Sequence, residues 1–123
     1  MANFSTGAKL SLTLLDNSNL LGYTFNVIQS FKDKETEEIY NGTSSKKALR
    51  CLPKTLWGIA YRKFYALDNA ILLKDLSAPP SNRLEALRGD RKGQHSIRIN
   101  EQYRICFNWT SQGPVMVEIV DYH

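Results

Sequence analysis

Three alternating runs near the C-terminus constrain this chain more than any other feature. They are Ser96-Ile97-Arg98-Ile99-Asn100, Gln102 to Trp109, and Val115 to Tyr122, joined by short breaks rich in turn formers. In the second run Tyr103, Ile105, Phe107 and Trp109 take the odd positions, while Arg104, Cys106 and Asn108 fall between them. Successive side chains of a strand leave opposite faces, so a period of two predicts half-buried antiparallel strands. Arg83 to Leu87 reads as a further short strand, followed by the glycine-bounded loop Gly89-Asp90-Arg91-Lys92-Gly93. The last third is therefore expected to form an antiparallel meander.

Upstream the period changes. Leu49, Leu52, Leu56, Ile59 or Ala60, Phe64 and Leu67 recur every three or four residues, the stripe of a helix packed on a sheet. Pro53 suits only a first turn, so the long helix is expected from about Pro53 to Asn69. Trp57, Tyr61 and Tyr65 on it read as core or partner contacts. A shorter helix should run from Asp33, a good N-cap, to about Tyr40, and stop at Asn41-Gly42. Val27 to Phe31 reads as a first strand, and Pro79-Pro80-Ser81-Asn82 as an extended turn. The predicted order is β-α-α-β-β-β-β, an α+β fold with two N-terminal helices on a twisted, mainly antiparallel sheet.

With 123 residues, 42% of them hydrophobic, the chain has room for one core, and no apolar run is long enough to span a membrane. Cys51 and Cys106 lie on different predicted elements with no second cysteine or histidine nearby, so both read as reduced, packed thiols of a cytosolic protein. A net charge of +4 favours a polyanionic or acidic partner. Residues 1–26 carry only Lys9 and Asp16, so that excess lies beyond them.

The cations gather around the predicted strands: Arg83, Arg88, Arg91, Lys92, Arg98 and Arg104, with the chain ending on Asp121-Tyr122-His123. Cutting RNA without a metal needs a base for the ribose 2′-OH, cations for the crowded phosphate, and an acid for the departing 5′ oxygen. Arginine's planar fork suits the phosphate. His123 is the best proton-transfer candidate, because imidazole titrates near ~6.5. Asp121 could orient it and Tyr122 could stack on a base. Glu85 and Asp90 are secondary acid–base candidates, and His95 reads as structural. No zinc spacing, phosphate-binding glycine loop or Ser-His-Asp pattern is present, so no metal or cofactor is expected.

The same stretches resemble the HigB-type toxins of bacterial toxin–antitoxin pairs, members of the RelE/ParE superfamily that include the plasmid maintenance killer proteins. The matching residues are Pro79-Pro80-Ser81-Asn82-Arg83-Leu84, Leu87 to Gly93, Ser96 to Asn100, Tyr103-Arg104-Ile105 and Glu118 to His123, with Val27 to Phe31 as the family's usual start. The resemblance covers most of residues 27–123, leaving residues 1–26 as an extension expected to come from an upstream start or from expression. It implies a RelE-like fold and ribosome-dependent cleavage of messenger RNA at A-site codons by 2′-OH attack. On that pattern Arg88 and Arg91 fall in the basic turn that grips the RNA backbone; Lys92 and Arg98 are further phosphate-binding candidates beside them, Arg98 alternatively pairing with Glu101 at the surface. Arg104 faces the scissile phosphate, and Asp121, Tyr122 and His123 form the catalytic end. Some relatives carry a histidine where this chain has Glu85, which leaves the identity of the base open. The implied partners are a HigA-type helix-turn-helix antitoxin, the 70S ribosome with its messenger, and operator DNA reached only through the antitoxin, all in the bacterial cytoplasm. Two alternatives share the fold: a gyrase inhibitor, and an antitoxin-binding module that has lost cleavage.

Overall fold

The computed structural model describes residues 27–122, so residues 1–26 and His123 lie outside the described residues. Helix α1 (Lys34–Asn41) starts where Asp33, itself extended, accepts a hydrogen bond from the Thr36 N–H at 2.7 Å. It ends at Gly42, whose φ of 80° suits a residue without a Cβ. Ser45 caps α2 (Lys46–Cys51) in the same way, its hydroxyl accepting from Ala48 N at 3.0 Å.

Leu52 then becomes extended (φ −149°, ψ 128°), the conformation favoured before a proline. Helix α3 therefore runs from Trp57 to Asn69, later than the expected start at Pro53. Pro53 instead opens a single 3-10 turn, Lys54–Leu56. The helical segment is thus three helices rather than two. Leu52, Ala60, Phe64 and Leu67 all face inward as their spacing predicts, whereas Leu49 is exposed and Ala48 takes its inward place.

Four antiparallel strands follow in sheet order β1-β2-β3-β4: β1 (Glu85–Ala86), β2 (His95–Arg98), β3 (Tyr103–Thr110) and β4 (Gly113–Asp121). The helices cover one sheet face. There Ile97, Ile105, Phe107, Val117 and Ile119 meet Ile39, Trp57, Phe64 and Leu67 in a single core. Each such side chain taken from water contributes about 1.5–3 kcal/mol. Phe31, Tyr40 and Phe64 form an aromatic cluster with ring centroids 5.1–6.3 Å apart.

The expected first strand is only a single parallel bridge, Phe31 to Val117. Val117 N donates to Ser30 O at 3.0 Å and Lys32 N to Val117 O at 2.9 Å, but the ladder stops there. Met116 has φ 54°, and its N–H goes to the Ser30 hydroxyl instead of a backbone carbonyl. A register shift between Cys106 and Asn108 marks the same spot as a β-bulge, which re-aims one strand and ends local pairing. Among the described residues no helix is long and apolar enough to cross a membrane.

Candidate active site

The face of the sheet turned away from the helices carries the polar residues. Strand register lines up Glu85, Ser96, Cys106 and Glu118 in one row across all four strands, with Arg98, Arg104 and Val120 in the next. Cys106 is buried here, as expected of a packed thiol, and Arg104 is buried with it. Arg91, in the loop after β1, reaches back to Glu118 at 3.0 Å, and Lys32 approaches the same carboxylate oxygen at 3.7 Å. Glu118's hydrogen bond pushes the Arg91 guanidinium still further up from its ordinary value. Burial does most to raise the Cys106 thiol, and it lifts Cys51 to about 11, so neither is a poised nucleophile.

Arg104 is the most constrained cation of the site. Its Nε donates to the fully buried Ser96 hydroxyl at 2.8 Å, and its Nη2 to the Arg83 carbonyl at 2.7 Å. That carbonyl is aimed by a backbone in the left-handed region (φ 47°, ψ 54°). The turn is fixed by the fully buried Asn82, which donates to Leu76 O and Ala78 O and accepts from Lys63 Nζ at 2.5 Å. Glu85 Oε1 lies 3.3 Å from Nη2, and the Tyr122 ring sits 5.6 Å from the guanidinium carbon.

Beside Arg104 opens a cleft of about 630 Å³ lined by Glu85, Ala86, Leu87, Arg88, Asp90, Arg91 and Tyr122. Arg88 and Lys92 are exposed and form no ion pair among the described residues. The cleft thus collects five of the predicted residues (Glu85, Arg88, Asp90, Arg91 and Tyr122), with Arg104 packed behind Glu85 and Tyr122. Others lie apart. Arg98 is directly across from Arg104 in register, but its Nε turns to Asn100 O and its Nη2 to Glu101. Asp121 accepts from Gln102 Nε2 at 3.2 Å, and Tyr122 N donates to Gln102 O, which pins the C-terminal end of β4. His95 stacks on Phe107 on the opposite sheet face. The role assigned to His123 lies outside the described residues.

Sequence reasoning missed Ser96, Glu118 and the Arg83 carbonyl. Their sign was present only as parity: Ser96, Arg104 and Glu118 share a sheet face once the register is known. Among the described residues no group of three or more His, Cys, Asp or Glu side chains is placed to hold a metal ion.

Residues 29–123 match the family model for the RelE-like toxin of the type II toxin–antitoxin system HigB. Toxin HigB-1 of Vibrio cholerae is 40% identical over 93 residues, which cover 76% of this chain and 94% of that toxin. An uncharacterized protein of Haemophilus influenzae is 33% identical over 70 residues, 57% of this chain and 64% of its own length. The chain belongs to the RelE-like HigB toxins of type II toxin–antitoxin systems, a family of mRNA-cleaving toxins.

Proposed function

We infer that this toxin cuts messenger RNA in the ribosomal A site without a metal, and so arrests translation in the bacterial cytoplasm. The ribose 2′ oxygen attacks the adjacent phosphorus, the bond to the 5′ oxygen breaks, and a 2′,3′-cyclic phosphate remains. The observation that carries this reading is Arg104, a buried guanidinium held by fixed partners directly behind Glu85 and Tyr122, two residues that line a cleft shared with Arg88 and Arg91. A positioned fork of N–H donors stabilises the charge that builds on non-bridging oxygens. Arg88 and Lys92 serve the flanking backbone, and Tyr122 offers a face on which an unstacked base can rest. Asp121 and His123 belong to the same C-terminal end, with His123 moving protons between the 2′ oxygen and the leaving oxygen.

So few acid–base groups require the substrate to arrive already splayed and oriented. A codon held in the A site meets that need, because positioning replaces much side-chain chemistry. The partner that silences the toxin is a HigA-type helix-turn-helix antitoxin, and operator DNA is reached only through it.

Primer extension on a translated messenger in a purified translation system tests the reading. Wild type should give new 5′ ends at A-site codons and little cleavage of naked RNA. Arg104→Ala and His123→Ala should each reduce the cuts by about 10²-fold or more. Absence of cuts with the wild type would sink the nuclease reading, and cuts that persist in His123→Ala would move the proton chemistry elsewhere.

A further inference from the structure

The partners of Arg104 fall into two kinds. Ser96 Oγ and the Arg83 carbonyl are neutral, close (2.8 and 2.7 Å) and immobile, one a fully buried hydroxyl and the other a backbone group. Glu85 is none of these. Its carboxylate is charged, stands farther off at 3.3 Å, and is 51% exposed, whereas the Arg104 side chain is only 8% exposed. It projects from β1, an edge strand of two residues that can let a side chain swing without disturbing the core. It also lines the cleft that Arg88, Arg91 and Tyr122 share.

A buried guanidinium without a counter-charge is costly, so the free protein needs an anion at this place. A phosphate has the same charge sign and the same acceptor geometry toward Nη2 as a carboxylate. We propose that Glu85 is a placeholder for the substrate phosphate: it neutralises Arg104 in the free toxin and is displaced into solvent when a phosphate oxygen binds Nη2. Ser96 and Arg83 hold the guanidinium still while its anionic partner changes. This rests on the reading that Arg104 faces the phosphate, and it makes Glu85 a competitor of substrate rather than the general base.

The test is binding and turnover in Glu85→Gln. The probe is a 2′-O-methylated RNA trinucleotide, which cannot be cut, titrated into the full chain while the Arg104 Nε–Hε resonance is followed. Glu85→Gln should bind the probe about fivefold more tightly than wild type, the scale of a half-exposed ion pair. KM for ribosome-programmed messenger should fall in step. The gain must disappear when Arg104→Ala is added, because the competition acts at that guanidinium. Ser96→Ala should weaken probe binding, the opposite direction.

Equal or weaker probe binding by Glu85→Gln overturns the proposal. So does a gain that survives Arg104→Ala, which would make it a matter of net charge alone. A collapse of kcat at unchanged KM also overturns it and makes Glu85 the base. The nuclease reading fails separately: wild type that never cuts a translated messenger refutes that reading, while the binding series still decides whether Glu85 competes for Arg104.

Discussion

At the scale of single residues, the site depends on burying charges without leaving them alone. Arg104 and Glu118 each sit on the polar face of the sheet with partners drawn from neighbouring strands and loops, and each partner set satisfies polar atoms that would otherwise be desolvated for nothing. Cys51 and Cys106 show the same environment from the other side. A buried thiolate is penalised, so both thiols are held protonated well above neutrality. With a pKa near 11, only about one part in a thousand of Cys51 is thiolate at pH 8. Alkylation of native protein by iodoacetamide should therefore be slow at that pH and rise close to tenfold per unit as pH approaches 11. A mass-spectrometric time course checks this, and fast labelling of Cys51 at neutral pH would contradict the burial argument. The order of Arg104's partners was not legible in the sequence, because serine at 96 looks like any strand serine until the register places it opposite Cys106 and diagonal to Arg104.

At the scale of elements, the sequence placed the start of α1 and the strands of the meander, but not the separate helix α2, the true start of α3 or the fate of the first strand. Asp33 and Ser45 cap helices because their short side chains reach a backbone N–H, a property of the residue and its neighbours alone. The fate of Val27 to Phe31 depended instead on what it would meet across the sheet. The β4 bulge at Met116 removes the next pairing partner, and the segment keeps one bridge. The hairpin end of β4 is equally specific. Gly113 has φ 118°, and a Cβ there would overlap the Val27 carbonyl oxygen. Gly113→Ala should destabilise by about 1–3 kcal/mol or more, a fall in Tm of about 5–15 °C for a domain of this size. Thermal unfolding followed by circular dichroism is the check, and an unchanged Tm would mean that the backbone passing Gly113 can shift freely.

At the scale of the whole molecule, Asp68 ties the start of the domain to the helical layer. Its buried carboxylate accepts from Tyr40 Oη at 2.6 Å and from Ile28 N at 2.9 Å, joining α3, α1 and the first described segment. Asp68→Ala removes the acceptor of both hydrogen bonds and should cost about 2–4 kcal/mol. Urea unfolding should show a lower midpoint with little change in slope, and a midpoint within error of wild type would refute the tether. The sequence by itself determined the α+β class, the meander of the last third, the inward stripe of α3 and the family, because each rests on periodicity, local turn chemistry or an ordered motif. It also named Arg88, Arg91, Arg104 and Tyr122. What only the tertiary structure decided is which charges meet: that Arg104 is buried rather than displayed, that Ser96 and the Arg83 carbonyl clamp it, that Glu85 sits on it, and that Arg98 is turned away. Those outcomes depend on strand register and on a loop folding back across the sheet, and contacts between residues far apart in the chain leave no local signature in it.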